Sequence, residues 1–185
     1  SNAWRMDPEV PLVVPEVNPG AIADRPRGII ANPNCSTIQM VVALQPIHAI
    51  SPIRHVVVST YQAASGKGQA ALDELEAQQR ALSSGQEPKV EVFPSQIVQN
   101  LVMDWKAGEN GYSEEELKMV HETRKIMGDD NIAVSPTAVR VPIATGHAES
   151  LHVRCADPID AEQVREAMRN APGVVLQDDG KYVPG

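Results

Sequence analysis

The chain has 185 residues, 42% of them apolar and 22% charged, which suits one globular domain with a sizeable core. A formal net charge of −8 excludes a nucleic acid or an acidic membrane surface as the main partner. No run approaches the roughly 18 apolar residues of a membrane span, and no signal-peptide pattern opens the chain. Two cysteines, Cys35 and Cys155, without secretory features point to a reducing, cytoplasmic setting rather than a disulfide. In that setting Asn34-Cys35-Ser36 matches a glycosylation acceptor only by chance. Ser1-Asn2-Ala3 reads as a scar of tag removal and is set aside.

Residues 4–31 read as an extended lead-in. A short strand is expected at Pro11–Val17 and a turn at Asn18-Pro19-Gly20. Then comes Asn32-Pro33-Asn34-Cys35-Ser36-Thr37, a loop delivering a cysteine to an apolar segment with helical spacing at Ile38, Val41, Val42 and Gln45. Asn34 and Ser36 are good N-cap types, so a helix is predicted to begin within a residue of Cys35. A thiol there faces the positive end of the helix dipole, which favours the thiolate nucleophile. Unpaired N–H groups of the first turn could also hold an oxyanion. The competing reading is a small buried hydrophobe.

Pro46 should end or kink this helix. His55–Tyr61 reads as a continuous buried strand, and residues 62–68 as a small-residue loop before a polar helix to about Leu82. Alternation at Val90 and Val92 suggests a short edge strand within 83–94. Ser113 and Glu116 make a capping box for a helix with Leu117, Val120 and Arg124 along one stripe, stopped by Gly128. Strands are expected at 132–143 and 150–156, then a helix at 159–170 capped by Asp157 or Asp160. A last strand at Val174–Leu176 precedes a tail. These elements make an α+β fold, a mixed sheet with helices mainly on one face.

Five histidines are candidates to serve a thiolate. His48 lies at the far end of the cysteine helix, His55 and His152 read as packing positions, and His121 reads as solvated. His147 differs, because Ala144-Thr145-Gly146-His147 is a turn between strands, where reactive groups are displayed. Arg140, between valines on a strand, must be ion-paired or hold an anion. Glu115 and Lys118 are spaced i, i+3, with a solvated surface pair as the plain alternative. Gly66-Lys67-Gly68 lacks phosphate-loop spacing, and no metal-ligand spacing occurs.

Three motifs together resemble a family. Asn32-Pro33-Asn34-Cys35-Ser36-Thr37, Tyr61-Gln62-Ala63-Ala64-Ser65-Gly66-Lys67-Gly68 and Arg140-Val141-Pro142-Ile143-Ala144-Thr145-Gly146-His147 look like the signatures of the aspartate-β-semialdehyde dehydrogenase family. The resemblance implies a fold like the C-terminal catalytic domain of glyceraldehyde-3-phosphate dehydrogenase-type enzymes. It implies Cys35 as nucleophile, His147 as acid/base and Gln62 orienting a thioester. Asn34, Glu115, Lys118 and Arg140 would bind substrate, and Ser65 and Gly66 would touch NADP. The implied substrates are aspartate semialdehyde and phosphate, and the implied assembly is a homodimer. The implied pathway leads to lysine, threonine and methionine.

By the same resemblance, residues 4–31 would lead in from a nucleotide-binding domain that is not present. Residues 32–185 would be a catalytic and dimerisation domain cut short at Tyr182-Val183-Pro184-Gly185, expected to lack turnover alone. The stretch 96–110, with Met103-Asp104-Trp105-Lys106, fits the family pattern poorly. The alternatives are a relative of N-acetylglutamyl-phosphate reductase, a non-catalytic dimerisation paralogue, and a cysteine hydrolase, which would need a third residue to orient its histidine. The first of these is disfavoured because its cysteine motif resembles Pro-Gly-Cys-Tyr-Pro.

Overall fold

A computed structural model describes residues 2–180 of the chain, so Ser1 of the tag scar and the Tyr182–Gly185 tail lie outside the described residues. Four helices, α1 (Cys35–Ile50), α2 (Gln69–Ser83), α3 (Glu114–Met127) and α4 (Ala161–Asn170), accompany three strands, β1 (Ile53–Gln62), β2 (Ala133–Arg140) and β3 (Ala148–Cys155). The strands form one sheet in the order β2-β1-β3. Val141 N–H donates to Gln62 O, joining the C-terminal ends of β1 and β2. Ala156 N–H donates to Pro52 O, setting the start of β1 beside the end of β3. The sheet is therefore mixed, and the fold is α+β.

Chain contacts divide the molecule into two compact units. One holds the N-terminal residues through Val57, Lys118–Ser135 and the C-terminal residues from Leu151; the other holds Val58–Leu117 and Pro136–Ser150. In the first, Val10, Leu12, Val14, Ala31, Val41 and Ile126 form a buried cluster. In the second, the buried cluster is Ala64, Ala71, Leu75, Phe93, Ile97, Val98 and Val102.

Several sequence expectations change for local reasons. The strand expected at Pro11–Val17 is only a single parallel bridge, Leu12 to Ala31. Asn18 competes for the backbone there, accepting from Val14 N–H and donating to Leu12 O. The turn at Asn18-Pro19-Gly20 becomes a 3-10 turn over Pro19–Ala23. Helix α1 runs through Pro46 to Ile50, because proline removes one amide and its φ is compatible with a helix.

Strand β1 alternates instead of being buried throughout. Val56, Val58, Thr60 and Gln62 are covered, while Val57 and Tyr61 are over 40% exposed. No strand forms at 83–94 among the described residues. The Glu74 carboxylate of α2 takes the amides of Glu91 and Val92, and Gln78 Oε1 takes those of Ile97 and Val98. A helix side chain thus satisfies amides that a neighbouring strand would otherwise need. Residues 174–176 are likewise irregular.

Helix α3 has its expected capping box. Glu116 Oε2 accepts from Ser113 N–H, and Ser113 Oγ accepts from Glu116 N–H. Its buried stripe is Glu115, Met119, Glu122, Thr123 and Ile126, not Leu117, Val120 and Arg124. Two carboxylates on a buried stripe have to be partnered, and both belong to candidate site residues or their supports.

Candidate active site

In the first unit, α1 begins at Cys35 itself. Asn34 is the N-cap: its side-chain oxygen accepts from Ser36 N–H at 3.0 Å and Thr37 N–H at 3.2 Å, and its carbonyl accepts from Ile38 N–H. The sequence expectation of open amides for an oxyanion is corrected here, because Asn34 occupies two of them. What remains is the dipole: Cys35 is exposed at the positive end, and no acidic residue stands in the first turn to oppose a thiolate. The buried-hydrophobe alternative fails on that exposure. No disulfide joins Cys35 to Cys155, and burial raises the Cys155 thiol pKa.

In the second unit, Ala63 organises the site through its backbone. Its N–H donates to His147 Nδ1 at 3.0 Å, and its carbonyl accepts from Arg140 Nη1 at 2.9 Å. An Nδ1 that accepts leaves the neutral ring with its proton on Nε2. Burial, and then the Arg140 guanidinium, hold the His147 pKa below its ordinary value, with Glu115 pulling the other way. The ring as placed is therefore a neutral donor at Nε2. To act as a base at that nitrogen, it must first leave Ala63.

Arg140 is 3% exposed. Its Nη2 lies 3.5 Å from Asp104 Oδ1, and its guanidinium stacks on the Trp105 ring, 5.0 Å from the centroid. The other Asp104 oxygen is 2.9 Å from Lys67 Nζ. Two backbone bonds between Val102 and Arg140 fix this strip against the strand end. Of the two readings left open for Arg140, the ion pair is thus realised here. Its Nε, however, finds no hydrogen-bond partner among the described residues, so a donor remains for an anion.

Gln62 is buried, with its amide donating to Thr60 Oγ1 at 3.3 Å and Glu115 Oε1 at 3.5 Å. Glu115 is 5% exposed, which overturns the solvated-pair reading of Glu115 and Lys118. Ser65 and Gly66 lie in a 3-10 turn over Ala64–Lys67. A Cβ on Gly66 would stand 3.0 Å from Arg140 Nη1 and 3.1 Å from both His147 Cε1 and Nε2, so only glycine leaves that space open.

The structure thus gathers Gln62, Ser65, Gly66, Glu115, Arg140 and His147 in one unit, and places Asn34, Cys35 and Lys118 in the other. The remaining histidines behave mostly as expected. His48 Nδ1 accepts from Ile53 N–H, His55 meets Ser135 Oγ and His121 is exposed. His152 is exposed instead of packed. The sequence reading missed Asp104, Trp105, Arg5 and Glu122. The only signal for Asp104 was that a buried arginine needs a counter-charge, and nothing local says which acid supplies it.

The α+β fold of this chain is that of solved aspartate-semialdehyde dehydrogenases. The form II enzyme of Vibrio cholerae, solved complexed with ASA, superposes at a TM-score of 0.95 with 48% identity, over 98% of this chain and 55% of that one. The aspartate-semialdehyde dehydrogenases of Aquifex aeolicus and Shewanella violacea are 54% and 50% identical over 97% and 100% of this chain. The chain spans 54% and 55% of those two, about half the length of the curated relatives it matches. A family model described as semialdehyde dehydrogenase, dimerisation domain, matches residues 44–184, and the chain belongs to that family.

Proposed function

We propose that this chain is the catalytic and dimerisation part of an NADP-dependent aspartate-semialdehyde dehydrogenase working through a thioester on Cys35. The observation that carries the reading is the exposed Cys35 at the first position of α1, capped by Asn34, in a chain of this family. The Cys35 thiolate adds to the aldehyde carbon, and the carbonyl oxygen becomes an alkoxide. His147, neutral with its proton on Nε2, donates to that developing charge. NADP, when bound, accepts the hydride that leaves the adduct carbon, which converts it to a thioester. Phosphate then attacks the thioester carbonyl, the C–S bond breaks and β-aspartyl phosphate leaves. Amino-acid biosynthesis runs these steps in reverse.

Arg140, with its spare Nε donor, takes the substrate carboxylate; Glu115 takes the amino group and Lys118 the phosphate. Gln62, held by Glu115 and Thr60, orients the thioester carbonyl. The amides of Ala64, Ser65 and Gly66 already donate to Ile143, Ala144 and Ala63, so their contribution to NADP is space beside Gly66 and the Ser65 side chain. A homodimer in a cytoplasmic setting completes the reading. The support for the dimer is the family itself, with Val57 and Tyr61 left exposed on one side of β1.

The test has two parts. At neutral pH, iodoacetamide should modify Cys35 faster than Cys155 in a time course mapped by mass spectrometry. Equal rates would count against an activated thiol. Joined to the half of the Aquifex aeolicus relative that it does not span, the chain should oxidise aspartate semialdehyde only with NADP and phosphate. Turnover surviving Cys35→Ala would remove the thioester route.

A further inference from the structure

Three side chains that the family reading leaves without a role converge on Arg140: Lys67, Asp104 and Trp105, all in the unit that holds Gln62, Glu115 and His147. Lys67 closes the 3-10 turn Ala64–Lys67, one residue after the glycine that leaves room for Arg140 and His147. Asp104 and Trp105 come from the stretch 96–110, which fits the family pattern poorly, and the bridge between Val102 and Arg140 sets them beside the arginine. The Asp104 and Arg140 side chains are both buried.

A carboxylate and a guanidinium left alone in a buried site pair through two parallel hydrogen bonds, fork against fork. Here they do not. Asp104 Oδ1 lies 3.5 Å from Arg140 Nη2, while Oδ2 turns to Lys67 Nζ at 2.9 Å. The shorter distance belongs to the lysine, whose Nζ also stands 6.0 Å from the Phe93 ring centroid. Arg140 is steadied by other means: Nη1 donates to Ala63 O at 2.9 Å, and the guanidinium rests on the Trp105 ring. Its Nε has no hydrogen-bond partner among the described residues. Within this trio two cations share one anion, so one formal positive charge stays uncancelled beside that donor. Without the lysine the pair would be neutral, and Asp104 would close on the fork that a bound carboxylate needs.

We propose that Lys67 and Asp104 are positioning residues that set Arg140 for the substrate carboxylate: Asp104 orients the guanidinium, and Lys67 holds Asp104 off its remaining donors. The proposal rests on Arg140 taking that carboxylate. Neither residue touches the reacting atoms; both act through Arg140.

The test is a pair of dissociation constants measured on this chain by NMR titration, followed at Arg140 Nε–H and the Gln62 side-chain amide. One ligand is aspartate semialdehyde; the other, β-aminopropionaldehyde, lacks only the α-carboxylate. Wild type should prefer the first. Lys67→Met should weaken aspartate semialdehyde by about tenfold, equivalent to about 1.4 kcal/mol, and leave β-aminopropionaldehyde unchanged. Asp104→Asn should also weaken only the first ligand. Adding Lys67→Met to it should cost nothing further, because the lysine then has no carboxylate to hold. Lys67→Arg keeps the charge and should restore most of the preference that Lys67→Met loses.

Thermal melts check the fold; should Asp104→Asn fail to fold, Lys67→Met and Lys67→Arg decide alone. An unchanged preference in folded Lys67→Met overturns the proposal and leaves Arg140 as the carboxylate ligand. The same loss with and without Asp104→Asn also overturns it, since the lysine would then act as a plain charge. So does a loss shared by both ligands, which a structural role would give. Tighter aspartate semialdehyde binding in Asp104→Asn would make the acid a competitor of the substrate and overturns it too. A wild type with no preference overturns the carboxylate reading of Arg140 together with this one.

Discussion

Substituting Gly66 by alanine tests the close approach that brings Arg140 and His147 together. The glycine's φ lies outside the left-handed region, so alanine meets no backbone strain and the effect is purely steric. The new methyl would stand 3.0 Å from Arg140 Nη1 and 3.1 Å from two atoms of the His147 ring. Neither neighbour yields easily: Arg140 is tied to Ala63 O, Asp104 and the Trp105 ring, and His147 accepts from Ala63 N–H.

Overpacking of this kind costs about 1–3 kcal/mol. Against that, glycine-to-alanine restricts the unfolded chain and returns about 0.4–1 kcal/mol. The balance is a destabilisation of about 1–2 kcal/mol. In a chain of this size each kcal/mol lowers Tm by about 2–4 °C. Two measurements check it: the melting temperature, and the His147 titration followed by NMR of the imidazole. With the ring pushed off Ala63 and into solvent, its pKa should rise toward the ordinary histidine value. An alanine variant with wild-type Tm and an unmoved His147 titration would refute the packing account.

His147 also predicts a pH dependence. Its folded pKa is lowered, so the neutral ring is the form the fold prefers. That stability is present above the unfolded value of about 6.5 and is lost as pH falls through the folded pKa. Melts across this window should therefore fall less steeply toward acid in His147→Gln than in wild type. Asp104→Ala takes from the 3%-exposed Arg140 and from Lys67 the carboxylate they share, which costs about 3–5 kcal/mol for a buried pair, nearer the lower figure because the Lys67 end is 30% exposed. In the joined enzyme the milder Asp104→Asn should raise KM for the carboxylate-bearing substrate more than it lowers kcat; equal KM values would separate Asp104 from Arg140. Asn34→Ala removes the cap on two amides, and denaturant unfolding should report a loss of about 1 kcal/mol.

Much of this protein is local and was therefore readable. Cap chemistry at Asn34, Ser113 and Asp160 set the starts of three helices, because a side chain reaching its own next turn needs no tertiary partner. The glycine at 128, with φ of +66°, ended α3 for an equally local reason. Three ordered motifs carried the family. What failed locally failed where a distant polar group intervened. The strand expected near Val90 and Val92 lost its reason to pair once Glu74 and Gln78 had taken the loop's amides.

Only the folded chain decided which acid neutralises Arg140, which backbone aims His147, and that Arg5 and Glu122 meet 117 positions apart. Sequence patterns specify spacing along one element. They carry no record of which distant charges must be brought together when a carboxylate or guanidinium leaves water, and that pairing is settled by packing.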